Sequence, residues 1–174
     1  FKITEAVISA DRLLEQDFDV RTSIVELNIF ESLDKPYLTG QLIVLDDNAL
    51  FDIINFNGTE RFKVNIASVT NDLQPVFERS FIMTGIERSV KSEQGKASIL
   101  NITLMDEHAF LARSKRISKS FSGNIDDIIV KLIGSEMKKN IDISYLGESK
   151  PIQTSMKGII PNLNPIDAAL WLTK

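Results

Sequence analysis

The sequence predicts an α+β chain that is mainly β. An antiparallel β-barrel, closed or nearly closed and holding one short inserted helix, is expected over residues 1–106, followed by a helix-containing α+β extension over 107–174. Three observations predict it. Apolar and polar residues alternate with period two through much of residues 20–106, the signature of half-buried strands. Helical spacing interrupts that alternation once, at "NALFDIINFNG" (48–58). A strong helical stripe with recognisable caps appears only after Glu107. Closure is expected because it protects long strands from edge-to-edge pairing.

Taken in order, "VRTSIVELNIFESL" (20–33) places Val25, Leu27 and Ile29 on one face with Glu26 and Asn28 opposite. "KPYLTGQLIVLDD" (35–47) contains the unbroken run Leu42, Ile43, Val44, Leu45, which predicts a strand covered on both faces. In 48–58 Asn48 is the expected cap, Leu50, Phe51 and Ile54 share a helical face, and Asn57-Gly58 supplies the stop. "ERFKVNIASVT" (60–70) alternates with Phe62, Val64 and Ile66 inward. "VFERSFIMTGIERSV" (76–90) and "ASILNITLMD" (97–106), joined through "KSEQGK", predict a long hairpin. The expected core is Leu27, Ile29, Leu42, Val44, Phe62, Val64, Ile66, Leu100, Ile102 and Leu104.

After Glu107 the pattern changes. "EHAFLAR" fits a helical turn, and "GNIDDIIVKLIGSEM" a helix with Asn124 as N-cap, Asp126 and Asp127 in the first turn, and Ile125, Ile128, Ile129, Leu132 and Ile133 on one stripe. "NIDISYL" (140–146) predicts a short strand and "PIQTSMKGII" (151–160) an extended segment. "NPIDAALWLTK" starts a helix with Asn164 as cap, Pro165 at the first position and Asp167 in the first turn. The chain opens on Phe1 and stops barely three turns into that helix, so a longer protein with a further domain is expected.

Composition narrows the chemistry. The 174 residues are 43% hydrophobic and 25% charged, the mixture of a folded globular chain. A net charge of −4 repels polyanions overall, so nucleic-acid binding would need a local patch. There is no cysteine, which removes disulfides, thiolate nucleophiles and thiolate metal sites. A single histidine, His108, excludes a histidine-rich zinc site, and no GxSxG, GxxxxGK[ST] or GxGxxG occurs. The acidic pairs Asp46-Asp47, Asp106-Glu107 and Asp126-Asp127 stand at strand exits or helix starts, where carboxylates cap exposed N–H groups. Trp171 and the cluster Leu50, Phe51, Ile54, Phe56 are expected to pack in cores. No catalytic, cofactor-binding or metal-ligating residue is assigned, no cofactor is expected, and no apolar run is long enough for a membrane-spanning helix.

One stretch stands apart. "FLARSKRISKSFSG" gathers Arg113, Lys115, Arg116 and Lys119 among serines, with Ile117, Lys119 and Phe121 facing one way in an extended conformation. A solvated arm, or a subunit-interface arm docking on an acidic neighbour, is the favoured reading, with a nucleic-acid-binding β domain using 113–119 as the alternative.

The order of segments carries a resemblance. "LTGQLIVLDDNALFDIINFNGTERFKVNI" and the later "FIMTGIERSVKSEQGKASILNITLMDEHAFLARSKRISKSFSGNIDDIIVKLI" resemble the baseplate hub proteins of contractile-tailed bacteriophages. In those proteins a strand with the pattern G.L.I.D leads to a short helix, then G.E...V, a strand pair ending near L...E.A, a segment R.S.SF.G...DI...I and a helix NP..A..WL. The resemblance runs from about Thr22 to Leu172, and type VI secretion spike proteins carry a similar module. It implies a tail-tube-like barrel and two such domains per chain, of which this chain supplies the first together with the start of the segment beyond it. It also implies a homotrimeric, pseudo-sixfold ring that joins the tail tube protein to the central spike protein beside other baseplate subunits. Genomic DNA would be channel cargo only. The implied location is the virion tail baseplate, assembled in the host cytoplasm, with no integral membrane association and no catalysis.

Overall fold

A computed structural model describes residues 1–10, 17–47, 49–54, 56–70, 74–90, 98–138 and 155–173, with the side chains of Phe51 and Val90 left aside. The expected cap at Asn48, the "KSEQGK" turn and the strand at 140–146 lie outside the described residues. The chain divides into two compact units, Phe1–Glu107 and His108–Lys174.

The first unit is one antiparallel sheet of seven strands: β1 (Lys2–Ser9), β2 (Asp17–Asp19), β3 (Ile24–Ser32), β4 (Lys35–Asp46), β5 (Arg61–Ala67), β6 (Pro75–Val90) and β7 (Ser98–Asp106). Their order across the sheet is β2-β1-β5-β6-β7-β4-β3. The long hairpin is present, with β6 and β7 paired from Phe81↔Asp106 to Val90↔Ser98. The mainly-β, antiparallel class is therefore as the periodicity predicts. Barrel closure is not found: among the described residues no ladder joins β3 to β1 or β2. The two edges are linked instead through the turn Val20–Ser23, which hydrogen-bonds to β1 (Val20 N to Ala6 O, 2.9 Å) and β4 (Leu45 N to Ser23 O, 2.8 Å). The sheet thus curls round one core without completing its hydrogen bonding.

That core collects the inward faces of the strands. Leu42, Val44, Phe62, Val64, Leu100, Ile102 and Leu104 are fully buried, and Leu27, Ile29 and Ile66 pack against them half-buried, so all ten expected core residues belong to it. Ala6, Ile8, Phe81 and Met83 complete it. Burying a side chain of this size stabilises by about 1.5–3 kcal/mol relative to exposure, so these few positions hold the sheet in its curl.

Two expectations within the sheet fail for physical reasons. Val25 is 60% exposed, outside the core. The β3–β4 register slips between Ile24 and Glu26, and this bulge places Val25 out of phase while Ile24, Leu27 and Ile29 face inward. Likewise the run 42–45 is not covered on both sides: Leu42 and Val44 are buried, but Ile43 is half-buried and Leu45 exposed. A continuous apolar run reports that two faces are apolar, not that the second one is covered within the same chain.

Helix α1 (Leu50–Ile54) comes directly after β4. The buried Asp46 carboxylate accepts from Leu50 N at 2.6 Å, which makes it the cap of this helix, and Leu50, Ile54 and Phe56 join the core. Arg88, whose position on β6 opposes the inward Leu100, bonds Ser98 Oγ at 3.1 Å and Asp52 Oδ1 at 3.3 Å, tying α1 to β6 and β7. Before β5, the buried Glu60 carboxylate accepts from Asn57 N (3.0 Å) and Gly58 N (2.8 Å), closing the turn that Gly58 makes at φ +88°.

The second unit contains most of α2 (Glu107–Arg113), then β8 (Ser120–Asn124), α3 (Ile125–Met137), β9 (Ser155–Ile159) and α4 (Pro165–Leu172). β8 and β9 form a two-stranded antiparallel sheet, and Ile117, Ile128, Leu132, Ile160, Ala168 and Leu172 form a separate small core. Asn164 caps α4 as its spacing predicts: its Oδ1 accepts from Asp167 N at 2.9 Å. Asn124 stands at the N-cap of α3 but makes no cap hydrogen bond there; it ends β8 opposite Ser155, and Asp126 and Asp127 supply the anions of the first turn.

Candidate functional site

The basic segment grows out of α2. Ala109 and Ala112 bury one side of this short helix, leaving Phe110, Leu111 and the terminal Arg113 exposed. The turn continues through Ser114, whose Oγ donates to Leu111 O at 2.8 Å, and Lys115, whose N–H donates to Ala112 O at 3.1 Å. Ile117 then drops into the small core and its N–H donates to Leu163 O at 2.8 Å. Two residues on, Lys119 O accepts from Ile160 N at 2.9 Å, and β8 begins. The segment is therefore pinned at its middle and end. It is not a solvated arm, because the apolar side chain at its centre is worth more buried than waving in water.

Pinning separates the four cations into two pairs. Lys119 Nζ meets Glu136 Oε1 at 2.5 Å, and Lys115 Nζ donates to the Glu136 backbone carbonyl in the last turn of α3. An ammonium at that place complements the negative end of the helix dipole. The Lys119 hydrogen bond, with smaller help from the charges of Lys119 and Lys115, holds the Glu136 carboxyl below its ordinary value against the opposing effect of burial. Lys115 and Lys119 thus serve the second unit's own structure. Arg113 and Arg116 are exposed and form no hydrogen bond or ion pair among the described residues.

The remaining sequence candidates resolve into local structure. Asp46 caps α1, Glu107 pairs with Arg61 at 2.9 Å, and Asp126 and Asp127 open α3. His108 lies in the first turn of α2. Trp171 is exposed on α4, with its ring edge-to-face against Phe121 at 6.3 Å, so it is only partly the core residue its neighbours imply. Phe121 also lies over Gly158, where a Cβ would stand 2.8 Å from its ring. Among the described residues no three His, Asp or Glu side chains converge on a metal position, and no described helix is long and apolar enough to cross a membrane.

On β1, β5 and β6 of the first unit one set of outward charges is paired across strands. Lys63 meets Glu5 at 3.0 Å and Glu78 at 3.8 Å, and Asn65 donates to Glu5 at 2.7 Å; the bond to Glu5 raises the Lys63 ammonium above its ordinary value. The end of the β3–β4 hairpin is different. Phe30 is 54% exposed and Leu33 fully so, beside the exposed Glu31, Asp34 and Lys35. This apolar and charged tip is a surface that sequence reasoning missed. Its only sequence signal is Phe30 and Leu33 falling among polar residues at a turn.

Searches by sequence find no matching protein-family profile and no matching curated protein. Comparison of folds does find a relative in architecture, the tail protein from Neisseria meningitidis MC58, whose crystal structure superposes with a TM-score of 0.51 over 97% of this chain at 14% identity. The chain spans 44% of the length of that tail protein. Across nearly its whole length the chain therefore has the fold of part of a tail protein.

Proposed function

We propose that the chain is a structural subunit of a phage tail, and within the tail a subunit of the baseplate hub. The observation that carries this reading is the fold shared with a tail protein over 97% of the chain, read together with the order of hub-like motifs from Thr22 to Leu172. Because the tail protein is more than twice as long, the full hub would hold a second tube-type domain beyond this one. Three such chains would close a pseudo-sixfold ring joining the tail tube to the central spike, with DNA passing through as cargo, in the virion baseplate. The role is geometric: the ring templates tube growth and holds the spike, and no catalytic step is assigned. The nucleic-acid alternative loses ground because two of its four cations are already engaged by Glu136. The test is the mass in solution of the full-length protein by light scattering, with negative-stain imaging of the same sample. A trimeric ring is the expected result, and a strict monomer across micromolar concentrations refutes the hub reading.

A further inference from the structure

The turn between α1 and β5 carries the one Asn-Gly pair in the chain, Asn57-Gly58. Asparagine is among the chemically labile residues, and a following glycine leaves it most open to attack, because a nitrogen with no side chain beside it approaches the amide unhindered. Attack of the Gly58 backbone nitrogen on Asn57 Cγ forms a C–N bond and expels the side-chain nitrogen, which takes up the Gly58 N–H proton and departs as ammonia. The product is a cyclic succinimide. Water then opens either carbonyl of that ring, leaving aspartate, or isoaspartate, whose main chain runs through Cβ with one added methylene. In sum water enters and ammonia leaves, so solvent is the only co-reactant. Solvent reaches this turn: Asn57 is exposed, and a Cβ added to Gly58 would meet nothing within 4 Å.

The groups that must react are nonetheless held. The Gly58 N–H donates to Glu60 Oε2 at 2.8 Å and the Asn57 N–H to Glu60 Oε1 at 3.0 Å, and this carboxylate is buried. Asn57 Oδ1 accepts from Thr59 N at 3.1 Å and from Thr59 Oγ1 at 2.6 Å. Ring closure needs Cγ eclipsed with the main-chain carbonyl carbon, away from every staggered rotamer, so the side chain must turn and give up its bonds to Thr59. It also needs the Gly58 nitrogen to shed its proton, and an amide anion formed against a buried carboxylate is disfavoured by like charge. We propose that Asn57-Gly58 is a latent site of self-deamidation, guarded by the Glu60 carboxylate that holds its N–H groups. Conversion proceeds through openings of the turn in which Glu60 lets go. Once made, the product keeps the turn from closing: a second carboxylate stands at residue 57, and the isoaspartyl methylene lengthens the chain between the two N–H groups that Glu60 clasps. The inference rests on this turn alone and is independent of the tail reading.

The experiment incubates the intact chain in mildly alkaline buffer, folded and, in parallel, unfolded in guanidinium chloride, and follows conversion at residue 57 by peptide mass spectrometry. The folded wild type is expected to convert roughly tenfold or more slowly than the unfolded chain, because only the open turn reacts. Glu60→Gln brings no charge and accepts from only one of the two N–H groups, so while folded it should convert roughly tenfold faster than the wild type. Thr59→Val keeps the shape but loses the hydroxyl on Asn57 Oδ1, and should speed conversion by about threefold. Gly40→Ala, which crowds β4 away from the turn, should keep the wild-type rate. A folded wild type that converts as fast as the unfolded chain overturns the proposal, as does a Glu60→Gln rate at or below that of the wild type. Equal acceleration by Glu60→Gln and Gly40→Ala also overturns it, since global unfolding is then the route. If Glu60→Gln does not fold, Thr59→Val decides: an unchanged rate in a variant that melts like the wild type overturns the guard.

Discussion

Replacing Gly40 by alanine tests whether the β3–β4 hairpin is held as closely as its geometry indicates. Gly40 lies in β4 between Ile29 of β3 and Leu104 of β7. A Cβ there would stand 2.8 Å from the Asn28 carbonyl oxygen, 3.3 Å from Ile29 Cδ1 and 3.4 Å from Leu104 Cδ1. The first of these neighbours is backbone fixed in a ladder, so no rotamer change relieves it. Gly85 on β6 is the matched control, since its added Cβ would meet only Thr103 Cβ and Oγ1 at 3.7 Å, an ordinary contact. Neither glycine has a positive φ. Alanine in a strand therefore gains about 0.5–1 kcal/mol at both sites by restricting the unfolded chain. At Gly40 an overpacking cost of about 1–3 kcal/mol opposes that gain. The net expectation is a loss of about 0.5–2 kcal/mol for Gly40→Ala and a gain of about 0.5 kcal/mol for Gly85→Ala. Urea unfolding monitored by far-UV circular dichroism measures both, and with an m-value of about 1–3 kcal/mol per molar the midpoints should separate by roughly 1 M. A Gly40→Ala midpoint at or above the wild type refutes the close-approach argument.

The buried and paired carboxylates give two further outcomes. Glu60→Gln keeps the shape of the side chain but points an NH2 at one of the two backbone N–H groups it now accepts from, and should cost about 1–2 kcal/mol of unfolding free energy; an unchanged denaturation midpoint would show that the turn holds without the carboxylate. At Glu136 the folded carboxyl titrates below its ordinary value, so its contribution is complete above the ordinary glutamate range and is lost as pH falls through the folded value. Glu136→Gln should therefore destabilise the chain by up to about 1 kcal/mol at neutral pH, the small scale of an exposed pair. That difference should shrink as acidification carries the solution below the ordinary glutamate range and through the folded value, and it should shrink in high salt. A deficit that neither falls with acidification nor responds to salt would mean that Glu136 acts through packing.

Legibility in the sequence tracked the range of the interactions concerned. The strand β5 was readable because "RFKVNI" alternates without interruption and the ladder obeys it from Arg61 to Ile66. The cap of α4 was readable because Asn164 and Asp167 are three residues apart and bond each other. β1 and β2 were not assigned: β1 loses its phase at the bulge between Ile3 and Glu5, and β2 is three residues long, too short to show a period. The bulge at Val25 was equally invisible, because it is fixed by the partner strand β4 and not by the residues of β3. In the basic segment the residue types were plain, but which cations are engaged depends on Glu136, 21 and 17 residues away from Lys115 and Lys119. Nothing in "KRISKS" distinguishes Arg116, exposed, from Lys119, held on α3.

The two edges of the seven-stranded sheet differ in a way that bears on assembly. The β2 edge is three residues long and clasped by Arg21, which binds Asp19 at 2.5 Å and Thr4 O at 3.1 Å. The β3 edge is nine residues long and displays Val25, Phe30 and, at the turn beyond it, Leu33. An edge of that length with apolar side chains invites pairing with another chain, and folded proteins blunt such edges with bulges and charges. β3 carries both, a register slip near each end and the exposed Glu26 and Glu31. The charges of β3 itself are both acidic, so two β3 edges brought together repel. The register slips and the two glutamates together thus keep an otherwise inviting edge from pairing with its own kind.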